Sequence, residues 1–155
     1  MRKISKWANL PNQDHVIRHV PYSKLRKDED DNILGFLPEA FALKPIEETK
    51  KSISVNWLEY FSGDHEVRTE RAIQGLRTTK SIGKKSAFAI GNVGNVKEVC
   101  KRNGAIIKIV YAPTDDNPSH SAIRHLPKDD LSLLQALATD AFCELVRNSA
   151  IEEKQ

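Results

Sequence analysis

Residues 114–130, which follow the most hydrophobic run of the chain (105–112), hold the side chains best suited to chemistry. The pair Asn117–Pro118 is typical of a helix start, and a later proline is typical of its end. This pattern predicts a short helix on which His120 and Arg124, four residues apart, share the outer face. In the first helical turn His120 would stay neutral, and a neutral imidazole can act as a base or bind a ligand. We therefore predict His120 and Arg124 as catalytic residues, with a capped connector as the alternative.

Polar side chains also mark two predicted strands in the first 60 residues. Residues 15–20 precede a proline, which favours extended backbone, and they carry Arg18 and His19. In residues 52–57 apolar and polar side chains alternate, which is typical of a half-buried strand. The polar face of that strand consists of Ser52, Ser54 and Asn56. We predict that these side chains, together with Arg18 and His19, bind a ligand such as a phosphate or a ribose.

The order of short motifs in this region resembles that of ADP-ribosyltransferase-like domains. Arg18 on a first strand is followed by Gly35-Phe36 and then by Ser52-Ile53-Ser54 on a later strand. In that family a strand-borne arginine or histidine and a Ser-x-Ser strand grip a nicotinamide dinucleotide. The resemblance covers about the first 60 residues and implies a nucleotide-site enzyme with Arg18 and Ser54 in the site. Many of those enzymes place a glutamate on a late strand, whereas the equivalent region here offers His120.

A loop with two glycines is the candidate anion site. Residues 86–95 predict a buried strand, a Gly-x-x-Gly turn and a helix start, and backbone N–H groups at such a junction can hold a phosphate. The loop lacks the third glycine of a dinucleotide fingerprint and the Lys-Ser/Thr of a P-loop, so an ordinary turn is the alternative. The predicted anion-binding residues are Lys84, Lys85, Gly91, Gly94 and Asn95.

Two other groups suggest metals but lack complete ligand sets. His15 and His19 fall on one face of the predicted first strand and could be joined by His120 or His125, yet no carboxylate or cysteine stands at a completing spacing. Residues 28–39 mimic part of a calcium loop, but an isoleucine occupies the position that needs glycine, which favours a solvated turn. We therefore predict no metal site, and the sequence indicates no particular cofactor.

The net charge of +3 conceals an uneven distribution along the chain. Residues 61–110 carry 10 Lys/Arg against 4 Asp/Glu, and residues 111–155 carry 4 against 8. A basic centre with an acidic tail suits an anionic partner, nucleic acid included, or self-association into a homo-oligomer. Charges that balance over solvated faces are the alternative. Aromatic residues are only 6% of the chain, which is low for a nucleic-acid module.

The remaining patterns predict the elements that position these groups. Residues 65–80 predict a helix that Asp64 can cap, and residues 86–112 read as a strand–helix–strand unit with parallel strands. Residues 129–148 carry a broad apolar stripe typical of a long amphipathic helix. We therefore predict an α+β (mixed α/β) fold with a central sheet of about four to six strands and helices on at least one face.

Length and composition favour one globular domain. The chain has 155 residues, of which 39% are hydrophobic and 29% charged, and this is enough to bury a core. We expect the domain to cover residues 13–148, after an N-terminal extension (1–12) and before a flexible tail (149–155). No apolar run is long enough to span a bilayer, and the basic N-terminus has no apolar core behind it. A soluble cytoplasmic protein with two reduced cysteines is the expectation.

Two interpretations of function stay open. In the first, the chain is an intracellular binding or accessory domain that recognises a protein or polyanionic partner through its basic centre and histidine-bearing loops. In the second, it is an enzyme acting on a nucleotide-like substrate, with Arg18, Ser54 and His120 in the site. The sequence favours the first narrowly, because an enzyme usually shows a denser cluster of catalytic residue types. A single pocket that unites Arg18 or His19 with Ser54 and His120 would favour the second.

Overall fold

The computed structural model describes residues 4–48 and 51–152. Within these ranges eight short segments form strands, and six of them pair into one sheet. The strands are β1 (His15–Val20), β2 (Leu25–Lys27), β3 (Ile33–Phe36), β4 (Ile53–Trp57), β5 (Ala87–Asn92), β6 (Lys108–Tyr111), β7 (His120–Arg124) and β8 (Glu144–Arg147). The sheet has the order β6-β7-β4-β1-β5-β8, all its pairings are antiparallel, and β2 and β3 form a separate hairpin.

Three helices and one helical turn connect the strands in the described part of the chain. They are the turn α1 (Pro45–Glu48) and the helices α2 (His65–Thr79), α3 (Val93–Arg102) and α4 (Leu131–Ala136), the last continuing as a π-helical segment to Ala141. The N-caps of the three helices are Asp64, Asn92 and Asp130. Each cap side chain accepts a hydrogen bond from a backbone N–H three residues later, which satisfies a donor that a helix start leaves unpaired.

The larger hydrophobic cluster lies between one face of the sheet and α3, α4 and the β2–β3 hairpin. It contains the predicted apolar face of β4, namely Ile53, Val55 and Trp57. Phe41, in the turn after β3, stacks on Phe142 with ring centroids 4.7 Å apart, and this contact ties the hairpin side to the end of α4. One side of the sheet is therefore covered along most of its width.

The opposite face of the sheet is only half covered. There α2 packs on β1, β5 and β8 through a smaller cluster that includes Ile17, Ile73 and Phe88. No residue of β4, β6 or β7 belongs to that cluster in the described ranges. The register joins Ile17 to Asn56 and Asn56 to His120, so Ser54, Asn56, His120 and Ala122 face the same side as α2 without lying under it. The uncovered half-face forms the floor of a cleft.

Residues 117–126 do not form the predicted helix. His120–Arg124 is the strand β7, which pairs with β4 on one side and β6 on the other. The Asn-Pro pair belongs to a turn, in which Thr114 and Asn117 exchange backbone hydrogen bonds. The prediction was wrong because so short a stretch has too few residues for its hydrophobic pattern to distinguish a helix from a strand. The two neighbouring strands, β4 and β6, pair with it through backbone hydrogen bonds.

The strand–helix–strand unit at 86–112 is not a parallel pair. Its helix is present as α3, but three other strands separate β5 from β6 in the sheet. The residues between the two strands are numerous enough for a crossover connection. Their number does not determine whether the two strands end up adjacent in the sheet. The cap is also one turn earlier than expected, at Asn92 instead of Asn95.

The long C-terminal helix predicted for residues 129–148 is short. Helical structure spans 11 residues, Leu131 to Ala141, and Glu144–Arg147 forms the strand β8 beside β5. Phe142, the residue that follows the last helical turn, is buried. The apolar residues at 145 and 146 fit a strand as well as a helix, so the apolar stripe alone could not locate the end.

The predicted strands at 15–20 and 52–57 and the helix at 65–80 are confirmed as β1, β4 and α2. Residues 28–32 form the predicted turn, closed by hydrogen bonds from the Asp30 and Asn32 N–H groups to Asp28. Within the proposed N-terminal extension, Trp7 and Leu10 donate backbone hydrogen bonds to β6, at 2.6 and 2.9 Å. None of the described helices is long and apolar enough to cross a membrane.

Candidate functional site

The cleft above β4 and β7 consists of two adjoining cavities. One, the basic lobe, has a volume of about 290 Å³ and is lined by Arg18, His19, Lys44, Asn56 and Lys80, among others. The other, the Trp7 lobe, has a volume of about 380 Å³ and is lined by Trp7, Ser52, Ala112, Ala122 and Arg124, among others. Glu47, Ser54 and His120 line both lobes and therefore mark their junction.

Arg18 is buried at the edge of the basic lobe with part of its guanidinium unused. It follows the last paired position between β1 and β4, and only 6% of it is exposed. Nε donates to the Ala40 carbonyl at 3.0 Å, and Nη1 donates to the Ser54 carbonyl at 2.7 Å. Nη2 makes no hydrogen bond with any described residue. Burial lowers the pKa of Arg18, an effect that the charge of Glu47 partly offsets. A buried guanidinium with spare donors is suited to an anion.

Two lysines add to the positive charge of the basic lobe. Lys44 precedes α1, and Lys80 is the C-cap of α2. Burial lowers the pKa of both ammonium groups, and repulsion from Arg18 lowers both further. Among the described residues that line the lobe, Glu47 is the one carboxylate, and it faces three cations: Arg18, Lys44 and Lys80. The repulsion among the cations would be relieved by a bound anion.

His19 contributes a neutral ring to the basic lobe. Burial, followed by repulsion from Lys80 and then Lys44, lowers the pKa of His19 to about 4. Its Nε2 atom is buried and has no hydrogen-bond partner in the described part of the chain. The ring lies 5.5 Å from the ring of Phe88, centroid to centroid. A neutral imidazole with an unsatisfied nitrogen can accept from, or donate to, a polar ligand group.

His120 and Ser54 form a hydrogen-bonded pair at the junction of the lobes. The Nδ1 atom of His120 lies 2.7 Å from the carbonyl oxygen of Ala112. Since a carbonyl oxygen only accepts, Nδ1 must carry the proton, and the lone pair of the neutral ring is then on Nε2. That Nε2 lies 3.2 Å from the Ser54 hydroxyl oxygen. The arrangement of an orienting acceptor, an imidazole and a hydroxyl is the geometry of general-base activation.

The backbone of Ser54 is fixed from both sides. Its N–H donates to Glu47 Oε2 at 3.2 Å, and its carbonyl accepts from Arg18. One strand position further along this face, Asn56 is buried and accepts a hydrogen bond from the Ser119 hydroxyl at 2.9 Å. The polar face of β4 is thus held rigidly at the floor of the cleft.

The Trp7 lobe offers a flat apolar wall beside a positive charge. Trp7 is 56% exposed, and the guanidinium carbon of Arg124 lies 5.5 Å from its ring centroid. Aromatic rings and guanidinium planes both stack on planar ligand groups. This lobe is therefore suited to a ring, whereas the basic lobe is suited to an anion.

The structure brings together every residue predicted to be catalytic or ligand-binding. These residues are Arg18, His19, Ser52, Ser54, Asn56, His120 and Arg124. Sequence reasoning missed Lys44 and Glu47, because each is one charged residue in a stretch with no motif. Lys80 belongs to the basic centre (61–110) that was predicted to meet an anionic partner, but it was not assigned to this site. Trp7 was missed because its segment was expected to lie outside the domain.

The predicted anion-binding residues lie elsewhere and apart from one another. Lys84 and Lys85 precede β5 and line a cavity with Tyr22 and Arg147, whereas Gly91, Gly94 and Asn95 lie at the other end of that strand. The N–H groups at the start of α3 already have partners: Val93 donates to Asp14, Gly94 to Asn12 and Asn95 to Asn92. These amides are not free to hold a phosphate.

His15 does not join the other histidines. Its Nδ1 lies 2.7 Å from a carboxylate oxygen of Glu59, and its ring makes an edge contact with His65 at 5.2 Å between centroids. Among the described residues no three histidine, cysteine or carboxylate side chains are grouped so as to hold a metal ion.

No family model, no curated protein and no solved structure matches the chain.

Proposed function

We propose that the chain is an enzyme that acts on a nucleotide-like substrate bound across the cleft, with His120 as its general base. The observation that carries the proposal is the pairing of His120, whose Nδ1 is held by the Ala112 carbonyl and whose Nε2 meets the Ser54 hydroxyl. A general base needs an imidazole whose tautomer and orientation are fixed by a second partner, and the Ala112 carbonyl supplies that partner.

The basic lobe supports a phosphate-bearing substrate. Three cations face one carboxylate there, and Arg18 has guanidinium donors to spare. Phosphate oxygens accept several charge-assisted hydrogen bonds at once, and such bonds are about twice as strong as neutral ones. The phosphate would bind between Arg18 and Lys80, next to the reacting groups.

The Trp7 lobe supports a planar group on the same substrate. Trp7 and Arg124 form one wall, and the polar face of β4 runs from this lobe into the basic lobe. A molecule with an aromatic ring at one end and phosphate at the other would span both, with the bond between its sugar and its phosphate near Ser54. Nucleotides have this construction.

The resemblance to ADP-ribosyltransferase-like domains makes NAD⁺ a specific candidate. Of the motifs behind it, Arg18 and Ser54 line the cleft, whereas Gly35-Phe36 belongs to β3 in the separate hairpin. The resemblance therefore supports a nucleotide ligand more than it supports one reaction.

Binding is tested by isothermal titration with three probes: ADP, pyrophosphate and adenosine. We expect ADP to bind most tightly because it fills both lobes, and Lys80→Gln to weaken ADP and pyrophosphate about tenfold while leaving adenosine unchanged. The matched control is Lys101→Gln, which removes an exposed lysine near the end of α3. Equal affinity of wild type and Lys80→Gln for ADP, or no binding of any probe, would overturn the proposal.

Catalysis is tested separately with ADP and NAD⁺ as substrates, followed by chromatography of the products. His120→Gln should lower kcat about 100-fold, the usual contribution of a general base, while changing the Kd for ADP much less. A variant that binds and turns over like the wild type would remove His120 from the mechanism.

The second candidate is a binding domain that recognises a polyanionic or protein partner through the basic centre of the chain. One observation favours it: Lys84, Lys85 and Arg147 line a cavity of about 380 Å³ with Tyr22, whose ring lies 3.8 Å from the Lys27 ammonium. The arginines of α2 support this second candidate less, because their guanidinium groups are already hydrogen-bonded within the protein. Arg68 donates to Phe61, Arg71 to Ser62 and Arg77 to Asn148. Binding of a short single-stranded RNA that Lys84→Glu abolishes and Lys80→Gln does not would favour this candidate.

A further inference from the structure

We infer that Ser54 is a covalent nucleophile that attacks a phosphorus atom of the bound substrate. This inference rests on the proposed function, because it takes the substrate to be the phosphate-bearing molecule of the cleft. It goes further by giving Ser54 a reaction of its own instead of a binding role. Three features of Ser54 carry it: its histidine partner, its rigid backbone and its position between the lobes.

The histidine partner is oriented to take the proton of Ser54. With Nδ1 protonated and held at 2.7 Å from Ala112, the Nε2 lone pair lies 3.2 Å from Ser54 Oγ. The two residues lie on neighbouring strands, Ser54 on β4 opposite Ala122 and His120 on β7 opposite Asn56, so they are diagonal neighbours on one face. The sheet itself therefore sets the distance between nucleophile and base.

Other hydroxyl groups of the cleft are differently engaged. Thr79 donates to the Leu76 carbonyl within α2, and no described histidine makes a hydrogen bond with the Ser52 hydroxyl. Ser54 is exposed, while its backbone N–H and carbonyl are both held, by Glu47 and Arg18. An accessible hydroxyl on a fixed backbone has little conformational freedom to lose when it reacts.

The position of Ser54 places a positively charged lobe beside the reacting atom. Ser54 lines the basic lobe together with Arg18, Lys44 and Lys80. Charge that accumulates on the phosphoryl oxygens in the transition state would be stabilised by these cations, which need no rearrangement to act.

The reaction balances without an oxidant or a reductant. Ser54 Oγ forms a bond to phosphorus as its proton passes to His120 Nε2, and the bond from phosphorus to the leaving oxygen breaks. The imidazolium gives that proton to the leaving oxygen. Water then attacks the phosphoserine ester, its proton passes to His120, and the Oγ–P bond breaks as Ser54 regains a proton. The net reaction is hydrolysis of a phosphoester or phosphoanhydride.

The test uses diisopropyl fluorophosphate, which phosphorylates activated serines with loss of fluoride and needs no nucleotide to bind. Intact-mass spectrometry of the full chain should show one adduct, which peptide mapping assigns to Ser54. Ser54→Ala should abolish labelling, and His120→Gln should slow it about 100-fold. The matched control Ser132→Ala removes an exposed serine of α4 and should label at the wild-type rate. Circular dichroism of each variant establishes that it is folded.

The outcomes separate this inference from the proposed function. No adduct on Ser54 in the folded wild type, or labelling that His120→Gln leaves unchanged, overturns the nucleophile even if ADP binds as expected. Labelling of Ser54 that depends on His120, in a protein that binds no nucleotide, supports the nucleophile and overturns the proposed substrate class.

Discussion

His15, His19 and His120 lie on the same side of the sheet and yet have three different environments. His15 bonds to Glu59, which keeps the pKa of its imidazole raised. His19 is held neutral by burial with its pKa lowered to about 4. His120 is oriented by a backbone carbonyl toward a serine. The groups that set these environments include Glu59, Lys80 and Ser54, which lie far from the respective histidines in the sequence, so residue type alone could not assign the roles.

The His15–Glu59 pair predicts a stability difference that depends on pH. The hydrogen bond with Glu59 raises the pKa of His15 above 6.5 in the folded state, so the pair stabilises the fold below about pH 6.5 and loses that effect as pH rises through the folded-state pKa. His15→Gln should therefore cost on the order of 0.5 kcal/mol at pH 5.5 and much less at pH 9, by urea unfolding. Glu59→Gln should give the same trend, and the double variant should cost no more than either alone. A cost that is the same at both pH values would contradict the pairing.

At the scale of elements, β7 shows how two residues can be placed on one face although their secondary structure was predicted wrongly. Residues 120 and 124 share a face on a helix, because they are four apart, and on a strand, because four is even. His120 and Arg124 therefore lie on one surface, as expected, although the segment is a strand. The predictions for β1, β4 and α2 held since each has enough residues, or a clear cap, to define its period. Those for β7 and β8 failed because non-local pairing decides them.

The helix α2 forms a wall of the cleft through Thr79 and Lys80 at its C-terminal end. Its N-terminal end is capped by Asp64. Asp64 Oδ1 accepts from the Val67 N–H at 2.9 Å. Asp64→Ala should lower the free energy of unfolding by about 1 kcal/mol in urea denaturation, whereas Asp64→Asn, which keeps the acceptor, should cost far less. Equal costs for the two variants would show that the cap hydrogen bond is not what stabilises this end of the helix.

At the scale of the whole molecule, the cleft proposed as the functional site results from incomplete coverage of the sheet. The α2 helix packs on β1, β5 and β8, and the polar floor of β4 and β7 stays open beside it. The sequence predicted a sheet with helices on at least one face. It could not predict the strand order or which half stays open, because these depend on pairings between residues far apart in the sequence, such as His15 with Asn92 and Ile53 with Ile123.

Filling the open half-face should block the ligand without unfolding the protein. Ala122 lines the Trp7 lobe on the floor of the cleft, and a leucine there would extend into that lobe. Ala122→Leu should weaken ADP binding at least tenfold with a melting temperature close to that of wild type, measured by calorimetry. Ala150→Leu, at an exposed alanine far along the chain, is the matched control. Unchanged ADP affinity in a folded Ala122→Leu variant would mean that the ring does not bind in this lobe.

The most direct test of the cleft as the functional site is a titration of ¹⁵N-labelled protein with ADP, followed by amide chemical shifts. We expect the largest changes on Ser54, Asn56 and His120, with Arg18 and Lys80 next. Changes centred on Tyr22, Lys84 and Arg147, or no changes at millimolar ADP, would contradict this expectation.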